Sequence, residues 1–483
     1  MRSPLARHLR VLSVACAALA AATQQSRADD FQVSYAAGSH DEAGHFLGGT
    51  EMRLLVAHGG RLYGGNGYWE DRPGAEGPQG AQILVLDSPG GRWRVDHAFE
   101  ERLPSGRPRD LAVGALAEAN FATDRAGRPL PRPTRLLLAS TWDLTGAARV
   151  FSRDDASGSW TAVTLSADWP APDFLPQIRS FASHRDRVTG IDLVFAGHTR
   201  GIFSGSYDAD APGRIRWGTS PELDGSTVST AFSGLVGRLR VSSFAEANGR
   251  LYAAVGQQIY ERVDGPKPQW RVIYTNPRPG HSETGLRGLT TVAGAGGEAL
   301  LAAVEGNAAR VIRIDPTSGG EATELDLEEF LPQVWGMRVG YVIAGYNDMT
   351  KAGGSVLLGL EAFVPRNAVI SAGHRLVDIG HGQVEGGGWF LIRRPDAHYD
   401  LRQVVAGFSQ PLVAVRTIRV SPFPNDADAI YLGGYGPTRR LRTTRPGLLA
   451  LIWPQRFAHR PDRVYWRRNA YSAAGASALP KCG

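Results

Sequence analysis

An arginine that returns at one position of a recurring pattern is the first chemical signal in this chain. The pattern is an apolar residue, an arginine, a short strand, a turn, and a second strand ending in small residues. Met52-Arg53-Leu54-Leu55-Val56 leads through Gly59-Gly60 to Arg61-Leu62-Tyr63-Gly64-Gly65-Asn66. Leu239-Arg240-Val241-Ser242-Ser243-Phe244 leads through Asn248-Gly249 to Arg250-Leu251-Tyr252-Ala253-Ala254. Val415-Arg416-Thr417-Ile418-Arg419-Val420 leads to Ala429-Ile430-Tyr431-Leu432-Gly433-Gly434. Weaker copies begin at Arg109, Arg179, Arg287 and Arg338. A guanidinium stays charged and presents a planar fork of donors that fits carboxylate, phosphate or sulfate. Arg53, Arg109, Arg179, Arg240, Arg287, Arg338 and Arg416 therefore predict a ring of cations that would focus a positive field on an anion. A structural use stands beside this, in which each arginine bridges to backbone carbonyls of the next copy. No acid recurs at a fixed offset from these arginines, so a ring of salt bridges is not expected.

The residues just after each second strand should rim the same opening. They are Asn66, Tyr68 and Trp69, then Trp142 with Asp143, then His198, Gln257, Glu305 with Asn307, Glu361 with Phe363, and Tyr435. Aromatic rings stack on sugar faces while amides and acids take hydroxyls, so this mixture suits a glycan; an ordinary loop residue is the plain alternative at each position. Two kinds of catalysis are chemically sensible on such a rim. In a uronate lyase, arginine would neutralise the substrate carboxylate, His198 would be the base, and Tyr68 or Tyr435 the acid. In a glycoside hydrolase, Glu305 and Glu361 would form the acid and base pair.

What must position these groups is a repeat fold. Helical periodicity is nearly absent, and short β-type runs alternate with turn residues along the chain. The second halves of the copies repeat too: a third strand ending near an Asp, a turn, then an aromatic strand. Examples are Ile83 to Asp87 with Trp93, Val150 to Asp154 with Trp160, and Ile259 to Asp264 with Trp270. A twisted four-stranded sheet cannot bury both faces alone, but radially arranged sheets cover one another. Seven copies predict an all-β fold, a seven-bladed β-propeller of four-stranded antiparallel blades, with Phe31 to Tyr35 as the strand that closes the ring. Ser152-Arg153-Asp154 through Gly158-Ser159-Trp160 resembles the Asp-box hairpin of the BNR (sialidase-like) repeat, one residue longer than that pattern. The resemblance implies architecture; the arginine triad and tyrosine nucleophile of sialidases find no residue-by-residue match here.

The ends and the composition bound the rest. Arg2, Arg7 and Arg10 precede an apolar run from Val11 to Ala22, and Ser26-Arg27-Ala28 offers a small-x-small cleavage site. Residues 1–28 are thus expected to be a signal peptide, leaving 29–483 as a single propeller domain with an insert around 361–410, periplasmic or secreted. That insert holds His374, His381, Trp389 and Arg393 and is a candidate cap for one face of the ring. The whole chain carries 53 Lys+Arg against 47 Asp+Glu, but four of those arginines lie in residues 1–28. The remaining balance is not that of a nucleic-acid-binding domain, and no membrane insertion is expected after signal removal. A monomer is expected. Of the two cysteines, Cys16 lies in the signal and Cys482 at the far end, so neither a disulfide nor a cysteine metal site is expected. His45, His58, His374 and His381 show no metal-ligand spacing, and no cofactor is expected. Calcium is the one cation with a candidate, at Asp208-Ala209-Asp210 or at Asn425-Asp426-Ala427-Asp428. Three readings remain open: a binder of an anionic small molecule or acidic glycan, a polysaccharide-active enzyme, and an envelope scaffold for protein partners.

Overall fold

The computed structural model describes residues 31–68, 80–167, 177–229, 239–279, 285–369, 376–378, 383–404, 412–435, 439–440, 457–458 and 463–468. Residues 1–28, expected to be a signal peptide, lie outside these residues, as do Trp69, His374, His381 and both cysteines. Nearly all the regular structure is β-strand. The strands fall into antiparallel sheets, in most of which chain order is spatial order. Glu51–His58, Arg61–Gly67, Gln82–Leu86 and Arg94–Ala98 pair in succession. Asp110–Thr123, Pro129–Asp143, Ala148–Arg153 and Trp160–Ser166 do the same.

The first strands of successive sheets stand side by side around an axis. They are Glu51–His58, Asp110–Thr123, Ser180–Arg185, Val241–Ala247, Leu286–Gly294, Tyr341–Ala352 and Ala414–Val420, and the last packs against the first. This is a β-propeller. The closing strand predicted from Phe31 to Tyr35 is found at Gln32–Ala36, where it pairs with Arg463–Arg468. Arg463–Arg468 in turn pairs with Ala429–Tyr435, so the two ends of the chain share one sheet.

Buried apolar clusters lie between consecutive sheets. Leu54, Ile83 and Tyr63 meet Val113, Leu137 and Phe151 across one interface. Tyr35, Met52, Leu55 and Trp93 meet Phe423 and Tyr431 across the seam between the last sheet and the first. Each fully buried large side chain of this kind contributes about 1.5–3 kcal/mol, and no disulfide is needed to hold such a core. The small residues that end the second strands have a steric cause. A Cβ on Gly197 would come within 2.4 Å of Val241 on the neighbouring inner strand, and one on Gly65 within 2.8 Å of Val113.

Hydroxyls stitch the inner strands together. Ser180 Oγ donates to the Val241 carbonyl at 3.0 Å, Ser243 Oγ to the Arg287 carbonyl at 3.1 Å, and Thr350 Oγ1 to the Ile418 carbonyl at 2.5 Å. The mortar between sheets is thus mostly serine and threonine at these points. Arginine does part of it: Arg53 Nη1 donates to the Val113 carbonyl at 3.3 Å.

Within the span 361–410, Trp389–Arg393 and Tyr399–Gln403 are strands of the sheet begun by Tyr341–Ala352. Gln383–Glu385 pairs with the end of Ser355–Val364, and Leu376–Asp378 pairs with it in turn. Among the described residues, the α-helix Leu327–Trp335 is too short and too polar to cross a membrane. Asp326 caps its start by accepting from the Glu328 and Glu329 amides, and Gly336 ends it at φ 65°.

Candidate functional site

The inner strands are bulged near their N-terminal ends. Pairing slips between Met52 and Leu54, between Leu286 and Leu289, and between Val415 and Thr417. A bulged residue is left out of the ladder, and its side chain is re-aimed. Arg53, Arg287 and Arg416 occupy these positions. Arg240 stands just ahead of a fourth bulge, between Val241 and Ser243. Arg179 precedes its strand, its amide donating to the Gly197 carbonyl at 3.0 Å. All five arginines are buried, none more than 8% exposed.

These five arginines share a space with three carboxylates. Arg416 reaches Glu51 at 2.7 Å and Glu361 at 2.6 Å. Arg53 lies 3.5 Å from Glu51, and Glu305 is held between Arg240 and Arg287. The Tyr346 ring has Arg416 at 4.0 Å and Arg287 at 4.6 Å from its centroid, and the Tyr435 hydroxyl meets Glu361. The expectation of no salt bridges among the arginines is therefore corrected. The acids come from second-strand ends and, at Glu51, from the first strand itself, so no single offset links them to the arginines.

Among the described residues, five guanidiniums stand against three carboxylates in this buried place. Among the same residues, Arg53 Nε, Arg240 Nε and Arg287 Nη1 are buried with no hydrogen-bond partner. Burial first, then the like charges of Arg240, Arg287 and Arg53, hold Arg179 well below the ordinary arginine range. Glu305 is held low: burial pushes it up, but Arg240 and Arg287 outweigh burial. Burial likewise pushes the Tyr346 phenol up, and Arg416, Arg287 and Arg53 more than reverse this. Buried guanidinium donors of this kind can accept an anion.

The other residues predicted from sequence lie elsewhere or serve the fold. Arg109 does not join the axial five; it pairs with Glu101 at 2.6 Å and Asp143 at 2.9 Å. Asp143 is also 2.9 Å from Arg149, which reaches Asp110 at 2.7 Å. Arg338 is exposed and precedes its strand; the inserted segment of that strand, between Ala344 and Met349, carries Tyr346 instead. Asn66 is fully buried and binds the Gly48 carbonyl and Gln82. The Tyr68 hydroxyl accepts from the Gly49 amide at 2.9 Å, and Gln257 accepts from Asn276 at 2.8 Å. Trp142 is buried, with Arg53 at 5.8 Å from its ring, and Asn307 is exposed. His198 is 1% exposed, and its Nδ1 accepts from the Arg200 amide at 3.2 Å. Burial, then the Arg200 charge, lowers its pKa to about 3, which makes it a weak base for proton abstraction. Glu305, ionised between two arginines, is unsuited to the role of general acid.

Sequence reasoning passed over Glu51 and Tyr346. Glu51 stands two residues before Arg53 in one copy only, and Tyr346 lies within a bulge that no propensity marks. Of the calcium candidates, the Asp208 carboxylate is taken by Arg216 at 3.2 Å and by the Asp210 amide. No group of three or more metal-ligating His, Cys, Asp or Glu occurs among the described residues.

A cavity of about 400 Å³ runs along the inner strands from Arg179 to Glu118 and Arg419. Leu54, Leu116, Phe181, Phe244, Leu289 and Met349 line it. Residues 54–57 and 115–118 follow one another along its wall, so it extends from Arg179 toward the C-terminal ends of the first strands.

No family model matches this sequence, and no curated protein matches it. Solved structures do. An ancestral GH74 enzyme aligns over 89% of this chain and 51% of its own length, with TM-score 0.50 and 11% identity. This chain thus spans about half the length of that enzyme. The Cps50 (Swd1) β-propeller domain of Myceliophteria thermophila aligns over 83% of this chain and 96% of its own, with TM-score 0.40 and 11% identity. A thermostable family-43 glycoside hydrolase aligns over 74% of this chain and 95% of its own, with TM-score 0.34 and 9% identity. At these identities the likeness is one of fold, and the fold is a β-propeller.

Proposed function

We propose that this chain is an exported seven-bladed propeller of four-stranded blades, residues 29–483 after a signal peptide of 1–28, that binds an anionic small molecule or acidic glycan on its axial arginines. One observation carries the reading. Among the described residues, five buried guanidiniums face three carboxylates, and Arg53 Nε, Arg240 Nε and Arg287 Nη1 make no hydrogen bond. A buried surplus of charge costs stability unless an ion of opposite sign neutralises it. An incoming carboxylate, phosphate or sulfate supplies both the charge and the acceptors.

The test is the melting temperature across a panel of anions, with neutral sugars as controls. Binding to the native state alone stabilises by about 2.7 kcal/mol at a hundredfold excess over Kd. A rise with one anion class, lost in Arg179→Gln, is the expected result. No shift with any anion overturns the proposal and leaves the scaffold reading in front.

A second reading has its own support: the Tyr346 phenol, held below its ordinary range by three arginines, is partly exposed in the same cluster. A tyrosine so placed suits an enzyme that removes a proton beside a carboxylate, as a uronate lyase does. Turnover of polyuronates that is lost in Tyr346→Phe, with anion binding retained, distinguishes this enzyme from a binder.

A further inference from the structure

The bulged positions that carry arginine on some inner strands carry small residues on others. Arg53, Arg287 and Arg416 fill them in Glu51–His58, Leu286–Gly294 and Ala414–Val420. In Asp110–Thr123 and Val241–Ala247 the bulged residues are Gly114 and Ser242. Val241 packs on Gly197 of the preceding sheet, and the Ser243 hydroxyl reaches the Arg287 carbonyl of the following one. Ser242 between them turns to neither neighbour, and its bulge aims it as Arg53 and Arg416 are aimed. Beside Gly114 another side chain comes in: Gln177 Oε1 lies 3.3 Å from the place a Cβ on Gly114 would take. Gly114 follows Val113, whose carbonyl accepts from Arg53, and Gln177 stands two residues before Arg179. Ile178 between them is buried with Ala115, Ala148, Val150 and Ala196 in the core between two sheets, which leaves Gln177 and Arg179 on the opposite side of the chain.

Gln177 is 2% exposed and Ser242 is fully buried. Among the described residues, Gln177 Oε1, Gln177 Nε2 and Ser242 Oγ have no hydrogen-bond partner. A buried amide or hydroxyl left in that state costs stability. The axial arginines need only acceptors, whereas Gln177 Oε1 needs a donor. Sulfate and simple carboxylates have no proton to give. A hydroxyl both donates and accepts, so it answers both atoms of the amide and the serine as well. We propose that the axial site takes a sugar acid, its carboxylate on the arginines and its hydroxyls on Gln177 and Ser242. This rests on the anion reading of the arginines and adds to it the substrate class and the two residues that select it.

The experiment is calorimetric titration of the chain from residue 29 to 483 with glucuronate, galacturonate and gluconate. Cyclohexanecarboxylate is the acid without hydroxyls, and glucose is the sugar without charge. A buried hydrogen bond met by one ligand and left unmet by another separates them by roughly tenfold to a hundredfold in affinity. The best sugar acid is expected to exceed cyclohexanecarboxylate by at least that margin, with glucose weaker still. Gln177→Leu and Ser242→Ala are each expected to cut sugar-acid affinity about tenfold or more, but not the affinity for cyclohexanecarboxylate. Neither is expected to lower the melting temperature, because each removes an unmet polar group. Ser242→Ala deletes a single oxygen and carries the test if Gln177→Leu fails to fold. If cyclohexanecarboxylate binds as well as the best sugar acid, the hydroxyl proposal falls and the arginine reading survives. If none of the acids binds, or glucose matches the best of them, both fall. If the sugar acids prevail but neither variant narrows their margin, the hydroxyls are met elsewhere and the proposal is overturned.

Discussion

Two buried arginine clusters in this propeller look alike in composition and differ in balance. At Arg262 the donors are fully matched: Nε reaches Glu222 at 2.8 Å, while Nη1 reaches Asp186 at 2.8 Å and Asp264 at 2.7 Å. His184, from a neighbouring inner strand, adds a contact to Asp264 at 3.0 Å, and the guanidinium stacks over Phe195 at 5.2 Å. A similar arrangement recurs two interfaces away, where Arg153 binds Asp96 and Asp155 and His58 bridges Glu118 and Asp155. In these locks, carboxylates equal or outnumber arginines. On the axis the ratio inverts, and buried donors on Arg53, Arg240 and Arg287 go unmet. The Arg262 guanidinium is saturated by the fold, and the axial guanidiniums are not.

The largest effect that tests this contrast is at the saturated cluster. Arg262→Ala takes the guanidinium from Glu222 and Asp186 and leaves Asp264 with Arg187 at 3.1 Å, and a loss of about 3–5 kcal/mol is expected from urea unfolding. A loss under 1 kcal/mol would show that the lock is ornamental and would break the comparison.

The second effect is a pH slope. His198, with a folded pKa of about 3, must stay neutral where the unfolded chain would be protonated. The unfolded state therefore binds more protons below its ordinary pKa, and stability falls as pH drops through about 6.5. Between pH 7 and pH 5 this group alone accounts for about 2 kcal/mol, a slope that His198→Gln is expected to remove. His58 works in the opposite sense. Burial lowers its pKa, but Glu118 and Asp155 raise it further, so its contribution is present at low pH and lost as pH rises through the folded value. Chemical unfolding at pH 5, 6 and 7 in His198→Gln and His58→Gln separates the two signs.

The smallest effect is the most diagnostic. Removing a like charge from an overcharged cluster should stabilise the empty protein, so Arg179→Gln is expected to gain about 1 kcal/mol while losing the anion response. Destabilisation by Arg179→Gln would place this arginine with the mortar and erase the difference between the clusters.

The ring, its closing strand and five of the axial arginines were legible because each repeats. Arg53 and Arg416 lie in, and Arg240 directly before, strands whose alternation recurs almost unaltered. Arg338 misled because the sixth repeat inserts its extra residues later in the strand, between Ala344 and Met349, so the aligned arginine stays outside. Arg109 misled because Asp143 and Glu101 draw it into a different cluster. The rim residues read as glycan contacts turned inward instead: Asn66, Gln257 and Asp143 spend their polar atoms on neighbouring backbone and side chains. The acids were invisible as a set because partnership across sheets follows spatial height, which sequence offset does not record.

The pairing of Gln32–Ala36 with Arg463–Arg468 carries a kinetic consequence. These strands close a loop that takes in nearly the whole protein, and for roughly 400 residues the chain entropy of such closure is about 5 kcal/mol. The seam must therefore form late, after the intervening sheets have condensed and brought both ends within reach. Once formed, it cannot be shed one sheet at a time, because every sheet is flanked on both sides. Opening the seam becomes the gate through which unfolding passes, and the lifetime of the folded ring is set there more than by the strength of any single sheet.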